Sequence, residues 1–183
     1  MRRQGRNRRV VALALALALT ATTSAALADT GGAGPGGTAP GAPNGKPRKG
    51  KIVHGKAKPP RNAPPQVVAA IKAGNHIRKK PYVWGGGHGR WEDRGYDCSG
   101  TVSYMLHAAG LLDRPMDSGE LASWGDPGQG GWISVAANGG HTYIVVAGLR
   151  MDTSGSGGKG PRWSKRKLSS GHGRFAIRHY GGL

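Results

Sequence analysis

The sequence predicts an α+β domain in which N-terminal helices pack on a small antiparallel β-sheet, and three observations carry that prediction. Apolar residues recur at helical spacing at Val67, Val68, Ala70, Ile71 and Ile77, and again at Val102, Met105, Leu106, Ala109 and Leu112. Short apolar bursts, set between glycine clusters, follow at 132–136, 142–147, 148–151 and 174–178, with β-branched and aromatic residues in all but 148–151. Helices first and strands afterwards place the helices against a sheet of adjacent strands rather than between parallel ones.

From the N-terminus, a basic stretch from Met1 to Arg9 leads into an apolar run from Val10 to Leu19 and then into Ala26-Leu27-Ala28. That order is a secretory signal peptide, expected over 1–28, with a secreted, extracellular or wall-associated product starting near Asp29. An uncleaved membrane anchor is the competing reading, but the apolar run falls short of the roughly 20 residues a bilayer requires. Residues 29–65 are rich in Gly, Pro and Lys and too poor in apolar side chains to offset their chain entropy, which predicts a disordered basic tether. The first helix begins after Pro64-Pro65, and 66–183 suits one small domain. The second helix is expected to run from Cys98 to Leu112, and residues 154–173 are expected as a glycine-rich basic loop.

The formal charge is +18, from 27 Lys and Arg against 9 Asp and Glu. The excess is concentrated before residue 81, where anionic wall polymers are the natural partners of an exported tether. Nucleic acid is not the expected partner, because no recognisable motif for it accompanies the charge. A single cysteine excludes a disulfide framework, so stability must come from a packed core. A lone thiol in an exported protein is either buried and inert or reactive.

Asp97 is a favourable helix N-cap, which puts Cys98 at the first helical position. The free N–H groups and the helix dipole there favour a negative sulfur and can face an oxyanion. Read locally, nucleophile and small buried residue both remain open.

Further residues break the tie. Pro81-Tyr82-Val83-Trp84-Gly85-Gly86-Gly87, then Asp97-Cys98-Ser99-Gly100, then Gly140-His141 at the head of an apolar strand resemble the NlpC-type cell-wall peptidases, which are papain-like cysteine endopeptidases of peptidoglycan. The resemblance covers roughly Val67 to Leu183. It implies Cys98 as nucleophile, His141 as general base and Asp152, on the next strand, as the residue that orients the base. It also implies Tyr82 in the substrate cleft, with Asp97, Ser99 and Ser118 contacting the free amine of a stem peptide that ends in L-Ala. Asp97 and Ser99 have a plainer reading as helix caps, and Asp152 as a loop cap. His54, His76, His88, His107, His172 and His179 lack a context matching that of His141.

The implied reaction is hydrolysis of an amide bond in peptidoglycan stem peptides, with D-γ-glutamyl-diaminopimelate the bond the family favours. No cofactor is expected, and no metal either, since the histidines and the one cysteine lack metal-site spacing. A monomer is expected. The strand before His141 departs from the family by lacking a Gly-Asp start, so the cleft wall and its specificity are less defined than the reaction class. The alternatives are a catalytically silent wall-binding protein on the same fold, and an amidase or acyltransferase using the same thiol. Trp124, Trp132 and Trp163 are expected to serve packing or cleft walls.

Overall fold

The computed structural model describes residues 47, 49–154, 159–168 and 175–183. The expected signal peptide and the tether as far as residue 46 lie outside the described residues. The chain order is β1 (Lys51–Val53), β2 (Lys56–Lys58), α1 (Pro65–Ile77), α2 (Cys98–Ala108), α3 (Ser118–Leu121), β3 (Asp126–Pro127), β4 (Ile133–Ala137), β5 (Thr142–Val146), β6 (Leu149–Asp152), β7 (Arg162–Ser164) and β8 (Ala176–His179). β1 and β2 form a separate hairpin, and the other strands form one sheet in the order β3-β8-β4-β5-β6-β7. Every pairing is antiparallel. The α+β class expected from the sequence, helices first and an antiparallel sheet after them, is the one observed.

Pro65 opens α1, where its missing N–H costs nothing, and Val67, Ala70, Ile71 and Ile77 face the core one turn apart. In α2 the fully buried Val102, Met105 and Leu106 meet them. The core closes on Ile133, Val135, Ile144, Val146 and Met151 of the sheet. All five residues of β4 are buried, including the polar Ser134, whose Oγ accepts from the Gly130 N–H at 3.0 Å. The three tryptophans expected in packing roles are buried, each below 9% exposure.

α2 ends at Ala108, four residues before the expected Leu112. Gly110 takes a positive φ of 70°, the Gly110 N–H bonds to the His107 carbonyl at 2.8 Å, and the Leu111 N–H reaches back to the Leu106 carbonyl at 2.9 Å. This is a Schellman stop, which prevents the apolar pattern from extending the helix through Leu112.

The expected tether boundary at residue 65 needs correction. Residues 49–64 belong to the folded domain. β1 and β2 turn at His54-Gly55, both at positive φ, the two-residue turn that suits strand twist. Asn75 of α1 secures the hairpin: its Oδ1 accepts from the Ala57 N–H at 2.8 Å and its Nδ2 donates to the Ala57 carbonyl at 2.8 Å. The same Oδ1 accepts from Trp163 Nε1 at 3.0 Å, tying α1 to β7. β7 also corrects the expected loop at 154–173, since an ordered edge strand lies inside it.

Candidate active site

The cleft is an open cavity of about 760 Å³, lined among others by Tyr82, Trp84, His88, Asp97, Cys98, Ser99, Ser118, His141, Thr153 and Ser154. Of the residues predicted from the sequence, only Asp152 is not in its wall. It sits behind His141, 5% exposed.

Cys98 opens α2. Its N-cap Asp97 is extended, and the Asp97 Oδ1 accepts from the Gly100 N–H at 2.7 Å. The Asp97 Oδ2 accepts from the Gly85 N–H at 2.9 Å, so one carboxylate pins the Trp84-Gly85-Gly86 loop to the helix start. The fit is close: a Cβ on Gly100 would stand 2.0 Å from the Gly86 carbonyl oxygen, and one on Gly86 would stand 2.3 Å from that of Gly95. The two glycine-containing motifs, about a dozen residues apart in sequence, thus form one contact. Trp84 is left 87% exposed at the cleft rim.

His141 stands at the head of β5. Asn138 shapes the approach to it, with its Oδ1 accepting from the Gly140 and His141 N–H groups, both at 2.9 Å. β5 returns as β6 through Ala147-Gly148, a second turn with both residues at positive φ. The register sets Ile144 against Met151, so Asp152 falls on the face shared by His141 and Tyr143. His141 Nε2 and Asp152 Oδ1 are 3.0 Å apart, which leaves Nδ1 as the ring nitrogen free for the thiol. Hydrogen bonds to Asp152 first and to Cys98 second raise the His141 pKa from 6.5 to about 9, against the opposing effect of burial. Cys98, His141 and Asp152 thus form a connected chain.

Asp152 is held on every side. Burial opposes its ionisation, yet the hydrogen bonds from His141 and the Ser154 N–H, with the charge of Arg150, hold its carboxyl well below the usual range. Arg150 Nε donates to Oδ2 at 2.8 Å, Arg150 Nη2 donates to the same oxygen, and Ser154 Oγ donates to it at 2.9 Å. The Arg150 guanidinium carbon lies 3.4 Å from the centroid of the Tyr143 ring, a cation–π stack. Phe175 meets both Tyr143 and His141 edge-on.

Tyr82 lines the cavity, and its phenol pKa is raised by burial and by the neighbouring Cys98 and Asp97, so it stays a hydrogen-bond donor. Ser99 Oγ donates to Asp97 Oδ1 at 3.2 Å. Ser118 begins α3 on the facing wall, where Asp117 and Glu120 form a capping box. Sequence reasoning missed His88, whose Nε2 lies 3.0 Å from Ser99 Oγ and 3.3 Å from Asp97 Oδ1. Its position directly after the glycine run was the only available signal. Arg150 was also missed, although a residue two before Asp152 on a strand must share its face. Asn138 before Gly139-Gly140 was a turn signal left unused. Among the described residues no group of three or more potential ligands could hold a metal ion.

No family model and no curated protein matches the chain. Among solved structures it is similar to the peptidoglycan hydrolase RipB from Mycobacterium tuberculosis, at 28% identity and a TM-score of 0.48 over 65% of this chain and 67% of that one. It is also similar to a hypothetical invasion protein of Mycobacterium tuberculosis, at 21% identity and a TM-score of 0.47 over 72% and 70% of the two chains. An NlpC/P60 family protein from Bacillus cereus matches at 17% identity and a TM-score of 0.46 over 64% of this chain and 41% of that one. In the order of its motifs, in its α+β fold and in the Cys98, His141 and Asp152 cluster, the chain resembles the NlpC-type family.

Proposed function

We propose that the chain is an exported cysteine peptidase that hydrolyses an amide bond of peptidoglycan stem peptides, with D-γ-glutamyl-diaminopimelate as the bond cut. The observation that carries the proposal is a thiol at a helix N-terminus, hydrogen-bonded to an imidazole that a buried carboxylate holds from behind, in an open cleft. In the reacting form His141 holds the proton and the Cys98 sulfur is anionic. The sulfur attacks the scissile carbonyl, and the N–H groups of the first turn of α2, with the Tyr82 hydroxyl, donate to the oxyanion. His141 delivers its proton to the leaving amine, then takes one from the water that hydrolyses the thioester. Asp97, Ser99 and Ser118 line the side of the cleft where the amine end of the stem peptide would bind.

Export through the leader at 1–28 and wall attachment through the basic segment that follows are parts of the same proposal. Incubation of the purified protein with soluble stem-peptide fragments, followed by mass analysis, tests it. Cleavage between glutamate and diaminopimelate is expected, with none from Cys98→Ala. Cleavage surviving in Cys98→Ala would sink the nucleophile assignment, and a product cut elsewhere would point to an amidase on the same fold.

A further inference from the structure

A second cavity, of about 520 Å³, lies away from the cleft between the β1–β2 hairpin and the β6–β7 edge of the sheet. Lys49, Lys51, Lys165 and Lys167 line it, all exposed, over the apolar Ile52, Val53 and Leu149. Among the described residues no carboxylate is in its wall. The lysines are placed by packing. The Gly50 N–H bonds to the Ala147 carbonyl at 2.9 Å, fixing the chain between Lys49 and Lys51. The Lys49 stem lies along Gly148, where an added Cβ would meet its Cγ at 3.2 Å. Across the hairpin Lys51 pairs directly with Lys58, and like charges placed opposite one another destabilise an antiparallel pair. An anionic ligand would relieve that repulsion.

We infer that this groove binds one strand of a wall phosphodiester polymer of the alditol-phosphate kind, and so holds the folded domain on its substrate layer. Two absences from the wall separate this occupant from other polyanions. Among the described residues no aromatic side chain lines the groove to stack a base, as single-stranded nucleic acid requires. No aromatic anchor of the kind that seats a protein in a membrane surface projects from it among the described residues: its one exposed large apolar side chain is the short Val53, 37% exposed, and the exposed Trp84 and Tyr180 are not among its lining residues. The groove sits at the Ala147-Gly148 end of the β5–β6 hairpin, whereas His141 lies about 20 Å and Asp152 about 13 Å along the strands from that end at 3.3 Å per residue. Binding in the groove therefore leaves the cleft open.

The test uses the full chain and labelled poly(glycerol phosphate). Changing Lys49→Gln, Lys51→Gln, Lys165→Gln and Lys167→Gln together should weaken binding at least about tenfold at 0.15 M salt and flatten its salt dependence, as loss of phosphate contacts does for other polyanions. A control that removes the same charge elsewhere, Arg61→Gln, Lys72→Gln, Lys79→Gln and Arg94→Gln, should change binding less than about twofold. Equal weakening by both variants would reduce the effect to net charge and overturn the groove. So would full binding by the first variant. Tighter capture by phosphatidylglycerol vesicles than by the polymer at equal phosphate would overturn the choice of ligand. Turnover of a soluble stem peptide should be the same in both variants, and the polymer result stands even if no stem peptide is cut.

Discussion

Asp152→Asn gives the most direct test of how the cleft sets the charge of His141. The rise of the His141 pKa from 6.5 to about 9 corresponds, at roughly 1.4 kcal/mol per pH unit, to about 3 kcal/mol favouring the imidazolium. The hydrogen bond to Asp152 is the larger of its two main causes and that to Cys98 the smaller. A neutral amide keeps the shape of the carboxylate and loses its charge, so more than half of the rise should disappear. The alkaline limb of kcat/KM, where the imidazolium loses its proton, should then move from about 9 to roughly 7.5. The rate at neutral pH should fall by about ten- to a hundredfold.

An NMR titration of the His141 ring protons reads the same loss of the imidazolium proton without turnover. The linkage to stability has a definite sign: a pKa raised on folding stabilises fully below pH 6.5, and that stabilisation is lost as the pH climbs through about 9. Wild-type thermal stability should therefore decline between those values, and Asp152→Asn should decline less steeply. Arg150, only 11% exposed and left without its carboxylate, should lower the stability of the variant at every pH. An alkaline limb identical in wild type and Asp152→Asn would refute the idea that Asp152 sets the charge of His141.

Two further substitutions test how the scaffold is tied together. Asn75→Ala removes three hydrogen bonds and leaves buried backbone groups of Ala57 unpaired, so it should cost about 3 kcal/mol in chemical denaturation. Deletion of residues 49–61 should lower the melting temperature, whereas a deletion ending before residue 47 should not. Gly100→Ala forces a Cβ against the Gly86 backbone at 2.0 Å, and should cost about 2–3 kcal/mol and slow Cys98 alkylation by moving the helix start. Full stability and reactivity in that variant would show that the contact between the two motifs does not position the thiol.

The parts of the fold that were legible in the sequence are those where one residue repeats its environment at a fixed period. α1 and α2 each repeat apolar side chains at helical spacing over three turns, β4 and β5 carry β-branched and aromatic residues, and β6 alternates Leu149 and Met151 with polar residues. The Cys98 helix start and the His141 strand start were legible for the same reason, since each sits where a regular element begins. Asp152 was named by the resemblance, and the register of β5 and β6 sets it opposite Tyr143, on the face of His141. His88 and Arg150 were not legible, because their roles depend on which loop folds back onto Asp97 and on which strand face holds a carboxylate.

The hairpin at 51–58 shows why composition misplaced the domain boundary. Its strands are three residues long, and Ala57 is the single buried side chain between them, so neither a period of two nor an apolar run can appear. Lys, Gly and Pro around it give the composition of a solvated tether. What holds it is distant in sequence: Asn75 in α1 satisfies both backbone groups of Ala57 at once, and the Gly50 N–H bonds to the Ala147 carbonyl. A segment ordered by distant partners contributes almost no local signal of its own. The four-lysine groove follows from the same geometry, because only the folded hairpin brings Lys49 and Lys51 across from Lys165 and Lys167. The positive charge read from the sequence as a property of a mobile tail is, in part, a fixed surface of the domain.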